Sequence, residues 1–156
     1  MPHEHKFRAY TVWTGAAAGP TTNYQTYSRE HTVAIDGKPT MTLSAAPAFR
    51  GSEALENPED LLLAALSGCH LLSFLAVCVR LGIEVVAYTD ECTATMAFQE
   101  GKMRFIETTL RPKVTVARAE DVERAQAAHE RAAAECFIAN SVRFPVHHEP
   151  ETVAQD

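Results

Sequence analysis

The sequence predicts an α+β fold, and three observations carry that reading. Residues 61–79 form a run with few polar interruptions, and a helix apolar all round is one buried on all sides. Over 119–136, Val122, Ala125, His129, Ala132 and Cys136 recur at intervals of three and four, marking one face of a second helix. Segments of β-branched and aromatic residues, punctuated by Gly and Pro, surround both helices and read as strands. With 156 residues, 46% of them hydrophobic, one domain covering 1–156 is expected.

In chain order, residues 7–14 and 22–28 have strand content and are separated by a loop over 15–20. Residues 31–36 lead through Gly37-Lys38-Pro39 into 40–44, completing an antiparallel opening. Trp13 reads as core-facing. Residues 45–56 contain Pro47, Arg50 and Gly51 without periodicity and form an ordered loop. Asn57 is a good N-cap, Pro58 suits the first helical position and Asp60 can return a bond to the cap, so the long helix starts here and runs to about Arg80, before Gly82. Residues 84–98 and 103–116 form a β-hairpin joined at Gln99-Glu100-Gly101-Lys102. The second helix follows over 119–136, then a last strand over 141–148, with Pro145 favouring an edge position.

A net charge of −6 without a Lys/Arg cluster argues against nucleic acid and against an anionic membrane surface. Small molecules are the expected partners. Residues 1–6 lack the apolar core of a secretory signal, so a cytoplasmic location is expected. The 61–79 run meets the length rule for a membrane span. Ser67, Gly68, His70 and Ser73 interrupt it, however, and no second span follows. Complete burial of such a helix in so short a chain points to a second subunit over one face.

The four cysteines, in a reducing compartment, suit packing, metal binding or redox work better than a disulfide scaffold. Cys69 and Cys78 are nine residues apart, so on a helix they point to opposite faces about 13 Å apart along the axis. Cys78 and Cys92 read as packing residues. For Cys69, packing and reactivity are both open. Cys136 closes a helix before Phe137-Ile138-Ala139-Asn140, beside the core yet next to chain free to shift, which suits a thiol that condenses with a sulfenic acid.

A reactive Cys69 inside a helix needs a cation nearby. His70 diverges from it by about 100° around the helix. Arg50 is the better candidate, because a guanidinium stays charged when partly buried, and Glu59 is suited to orient it. Glu59 lies ten residues before Cys69, about 15 Å along a straight helix. If both serve one site, a partner subunit supplies one of them.

Asn57-Pro58-Glu59-Asp60-Leu61 through Cys69, with Cys136 followed by Ile138 and Asn140-Ser141, resembles the OsmC/Ohr family of osmotically inducible and organic-hydroperoxide-resistance proteins, in its general OsmC-like branch. The resemblance implies an OsmC-like fold in an intertwined homodimer, with sites at the subunit interface and no metal or cofactor. It implies a thiol-dependent peroxidase acting on organic hydroperoxides, and on hydrogen peroxide as a further substrate, in oxidative stress defence. Cys69 would be peroxidatic and Cys136 resolving, with Arg50 and Glu59 as their partners and Arg29 as the alternative arginine. An external dithiol, such as a lipoylated protein, would reduce the resulting disulfide. Members of the family commonly have Pro after the resolving cysteine, where this chain has Phe137.

Two rival readings remain. Cys136, His147 and His148 offer metal donors, but their spacing is not that of a zinc set. The other rival is a non-catalytic dimer that binds a small ligand while its cysteines pack.

Overall fold

The computed structural model describes residues 3–156; Met1 and Pro2, which open the 1–6 segment read above as lacking a secretory signal, lie outside them. The chain divides into two compact units, residues 1–62 and 63–156.

In the first unit, β1 (Tyr10–Val12), β2 (His31–Ala34) and β3 (Met41–Leu43) form an antiparallel sheet in that order. Tyr10 stands opposite Ala34, and His31 opposite Leu43. The strand expected over 22–28 is a turn. The Asn23 side-chain oxygen accepts from the Gln25 amide at 2.8 Å, and the Asn23 carbonyl from the Thr26 amide at 3.1 Å. A local Asx-turn overrides the strand propensity of the flanking residues. β1 is likewise shorter than expected, because the chain enters a 3₁₀ turn over Thr14–Ala18. Trp13 is 38% exposed rather than core-facing, and its indole N–H donates to the Ser28 carbonyl at 2.8 Å.

The loop over 45–56 contains a 3₁₀ turn, Pro47–Phe49, closed by Arg50 in the left-handed region at φ 65°. Gly51 follows where a Cβ would lie 1.5 Å from the Ala45 carbonyl oxygen, so no other residue fits that backbone approach. The next element is α1 (Pro58–Leu81). Its cap is reciprocal: Asn57 Oδ1 accepts from the Asp60 amide at 3.0 Å, while the Asp60 carboxylate accepts from Asn57 Nδ2 at 2.7 Å.

The second unit contains the rest of α1, then β4 (Val85–Asp90), β5 (Thr93–Gln99), β6 (Lys102–Leu110), β7 (Pro112–Val116), α2 (Val122–Glu135), β8 (Val146–His148) and β9 (Glu151–Ala154). Two three-stranded sheets result, ordered β4-β7-β9 and β5-β6-β8. The expected hairpin is present as β5–β6, turning at Glu100 and Gly101, both at positive φ. Its two long arms are broken into four strands. Asp90 accepts from the Arg111 amide at 2.7 Å and from the Ser67 hydroxyl at 2.6 Å, and Pro112 has no amide to continue the ladder. Beyond this break β4 pairs with β7 in the same antiparallel register, Asp90 opposite Pro112 as Thr93 is opposite Thr109, so the outer part of the expected hairpin is present as well.

α1 ends as its sequence suggests. Gly82 adopts φ 70°, its amide bonds to the Val79 carbonyl at 3.1 Å, and the Ile83 amide reaches the Cys78 carbonyl at 2.9 Å. Arg124 ties this end to α2, donating to the Leu81 carbonyl at 2.6 Å while paired with the buried Asp121 at 2.6 Å. The α2 helix begins three residues later than expected, after a 3₁₀ turn over Ala119–Asp121. Its small residues Ala125, Ala128 and Ala132 allow a close approach to Phe74, Val77 and Cys78 of α1 and to Val114 and Val116 of β7.

This layer covers one stripe of α1 only. Leu72 is 69% and Val79 77% exposed, so within one chain the helix is not buried on all sides as its composition suggested. By length and hydropathy α1 is apolar enough to cross a membrane. Its inner stripe instead belongs to a packed core, where burying Phe74 alone contributes roughly 1.5–3 kcal/mol. The last strand expected over 141–148 is reduced to β8, behind a 3₁₀ turn at Ala139–Ser141. Its partner β6 runs parallel to it, as β7 does to β9, a short strand the sequence reading did not include.

Candidate active site

Cys69 sits midway along α1 and is half-buried, whereas Cys136 follows the last turn of α2 and is 1% exposed. The 3₁₀ turn after α2 brings them together. The Ile138 amide donates to Cys69 Sγ at 3.5 Å, and the Ala139 amide to Cys136 Sγ at 3.5 Å. Neighbouring amides of one turn thus contact both sulfurs, and both thiols are free. Burial, reinforced by the neighbouring Cys69, pushes the Cys136 thiol up to about 11 despite its amide donors.

Cys69 opens into a cleft of about 450 Å³ lined by Leu72, Ala76, Phe137, Arg80 and Asn140 among others. Phe137 is 79% exposed at its mouth. Arg80 forms an ion pair there with Glu135. Glu135 also accepts from Arg131 at 2.8 Å, and the two guanidiniums, Arg131 foremost, hold its carboxyl below the usual range. The sequence reading did not anticipate Arg80 or Glu135; their positions on different helices give no shared spacing signal.

Arg50 and Glu59, the other expected site residues, lie in the first unit with different environments. Glu59 is half-buried and lines a cavity of about 410 Å³ with Trp13, Tyr27, Arg29, His31 and Phe49. Arg29 is fixed on that wall. Its guanidinium donates to the carbonyls of Tyr27 at 2.6 Å and Tyr24 at 2.5 Å, and lies 3.8 Å from the centre of the Tyr27 ring. Arg50 is exposed at the left-handed end of its 3₁₀ turn and is not among the lining residues. Geometry therefore joins Glu59 with the alternative arginine, Arg29.

Of the remaining cysteines, Cys78 is buried in the core, and burial together with Asp121 pushes its thiol up to about 11. Cys92 is half-buried and raised chiefly by burial, then by Asp90. His70 points away from Cys69 and is fully buried, with Nε2 3.0 Å from Nδ1 of His129. Among the described residues, no group of three or more His, Cys, Asp or Glu side chains is arranged to hold a metal ion. His147 and His148 show the expected divergence, the first exposed and the second half-buried.

Similarity to known proteins agrees with this architecture. An OsmC-like protein of unknown function from Vibrio cholerae is 31% identical, with a TM-score of 0.86 over 94% of this chain and 99% of its own. An organic hydroperoxide resistance protein from Elizabethkingia anophelis shares the fold at 19% identity and TM-score 0.72, with both chains covered completely. The organic hydroperoxide resistance protein OhrB of Bacillus subtilis shares it at 20% identity and TM-score 0.62, over 94% of this chain and 98% of its own. Among curated protein sequences nothing matches the chain. The family described as OsmC-like protein matches residues 51–151, which hold both Cys69 and Cys136, and the chain belongs to that family.

Proposed function

We propose that the protein is a cysteine-based peroxidase that reduces organic hydroperoxides in the cytoplasm. The observation that carries this reading is the placement of Cys69 and Cys136 side by side, one open to a mostly apolar cleft and the other sealed. The Cys69 thiolate attacks the terminal peroxide oxygen in line, the O–O bond breaks, and the alkoxide leaves as an alcohol after taking a proton. Cys69 is then a sulfenic acid. The Cys136 thiol condenses with it, forming the disulfide and releasing water. An external dithiol, with a lipoylated protein as the candidate, returns both thiols. Because burial keeps Cys136 protonated, it does not compete for the peroxide and reacts only with the neighbouring sulfur.

The second half of the site is a guanidinium with a carboxylate on the same cavity wall, the guanidinium stabilising charge on the reacting oxygens. Arg29 and Glu59 fit that role better than Arg50 and Glu59, since they line one cavity. With Glu59 about 15 Å along the helix from Cys69, a second copy of the chain supplies them, and the domain works as a homodimer. The exposed Leu72 and Val79 on α1 are in keeping with such a partner.

To test it, reduced protein is mixed with cumene hydroperoxide and free thiols are counted. Loss of two thiols per chain in the native protein, none of that loss in Cys69→Ser, and one turnover without recycling in Cys136→Ser is the expected pattern. Full turnover by Cys69→Ser would remove Cys69 from the chemistry, and thiols indifferent to peroxide would leave the chain a ligand-binding dimer.

A further inference from the structure

Among the described residues, five buried side-chain polar atoms have no hydrogen-bond partner: His70 Nδ1, His129 Nε2, His148 Nε2, Tyr88 Oη and Thr108 Oγ1. They belong to one region of the second unit. The His70 and His148 rings are 4.4 Å apart between centres, and Phe74 stacks on His129 at 4.0 Å and lies 5.9 Å from Tyr88. Thr108 pairs in register with Val146, two residues before His148. Three imidazoles from α1, α2 and β8 thus meet inside the protein in a region the peroxidase chemistry does not use.

The His70 Nε2 to His129 Nδ1 contact, at 3.0 Å, is a hydrogen bond that needs one ring nitrogen as donor and the other as acceptor. One added proton, taken by a free ring nitrogen, leaves an imidazolium donating to a neutral ring; a second makes both rings cations and both facing nitrogens donors, in a site that is 0% exposed at His70 and 3% at His129. Little around the pair would offset that charge. The titratable groups facing it are His148 of β8, whose own neighbours are His147 and the Asp90 carboxylate at the end of β4, and the phenol of Tyr88 on β4. Asp90 acts on His148 and is already engaged by Ser67 and Arg111.

The pair spans the two elements that carry the cysteines. His70 adjoins Cys69 on α1, and His129 lies seven residues, about two turns, before Cys136 on α2. We propose that His70 and His129 are positioning residues: neutral, they clamp α1 to α2 and hold Cys136 beside Cys69, and a second proton opens the clamp and separates the thiols. The consequence for disulfide formation rests on the cysteine pairing proposed above, but the structural claim does not.

Burial, with His148 and His129 adding to it, lowers His70 to about 3, and burial with His148 lowers His129 to about 4. A ring freed from the clamp returns toward the ordinary value near 6.5. Opening therefore begins below that value as pH falls and is complete by the closed-state values.

The test follows reduced protein by NMR from neutral to acid pH, without peroxide or turnover. It reads the ring signals of His70 and His129 and the cross-relaxation between the β-protons of Cys69 and Cys136. We expect the Cys69–Cys136 signal to vanish with the same midpoint as proton uptake by the rings, while far-UV circular dichroism stays native. His129→Gln keeps a hydrogen-bonding group toward His70 but takes no charge, so its midpoint moves to lower pH. A cysteine contact that survives ring protonation, or one lost only with global unfolding, overturns the proposal, as does an unchanged midpoint in folded His129→Gln. If that variant does not fold, the wild-type profile decides alone.

Discussion

The amide of Ile138 donates to Cys69 Sγ at 3.5 Å, across 69 residues of sequence. The next amide, of Ala139, donates to Cys136 Sγ. Consecutive amides of one turn thus hold both sulfurs, and the turn exists because α2 stops at Glu135 and Cys136 leaves the helix with extended backbone. In the proposed cycle, a sulfenic acid formed on Cys69 would have the Cys136 thiol beside it.

The two sulfurs differ in access, Cys69 half-buried and Cys136 1% exposed. At pH 8 a thiol pushed up to about 11 is almost wholly protonated, and the thiolate is the species that reacts. Brief treatment with iodoacetamide followed by peptide mapping is expected to label Cys69 first, with the buried Cys136 and Cys78, whose thiols are pushed up to about 11, lagging behind it. Equal labelling of Cys69 and Cys136 would contradict the assignment of roles.

Arg29 and Arg50 make opposite predictions. Removing a cation that stabilises charge at the reacting oxygens costs about 10²-fold in rate, so Arg29→Ala should lower kcat/KM for cumene hydroperoxide by that order. Arg50 sits at φ 65°, where glycine is unstrained, so Arg50→Gly should leave kcat/KM unchanged and raise stability by up to about 1 kcal/mol. Steady-state kinetics and urea unfolding separate the two. A large loss of activity in Arg50→Gly with Arg29→Ala intact would restore the arginine expected from sequence.

The reciprocal cap of α1 contributes to stability in its own right. Asn57→Ala removes the acceptor for the Asp60 amide and the donor to its carboxylate, and is expected to lower unfolding free energy by about 1 kcal/mol. The urea midpoint should fall with no change in the slope.

Acid should destabilise the fold through the buried histidines. Their folded-state values, about 3 and about 4, lie below the unfolded 6.5, so the unfolded chain binds protons first as pH falls. The stability they allow is full above about 6.5 and is lost by up to about 1.4 kcal/mol per pH unit per ring between there and the folded values. Urea midpoints at several pH values, compared with His129→Gln, isolate the share due to His129; parallel profiles would assign the acid loss to other groups.

The sequence by itself determined the α+β class, both helices, the two ends of α1, the hairpin and the cysteine pair worth examining. Local rules suffice there: periodicity marks a buried face, Asn57 to Asp60 closes its own hydrogen bonds, and Gly82 ends a helix by taking a left-handed turn. Tertiary structure decided where long-range bonds compete with local preference. Asp90 reaching Arg111 and Ser67 broke the hairpin arms into two sheets, and Asn23 folded a strand-like segment into a turn. It also decided which charges share a wall, placing Arg29 with Glu59 while Arg50 faces outward, and it gathered His70, His129 and His148 from three distant segments. His129 was visible in the apolar stripe of the second helix, but its partner was not. A hydrogen bond between residues far apart in sequence leaves no spacing to read, so only the folded chain reveals which buried polar group another one answers.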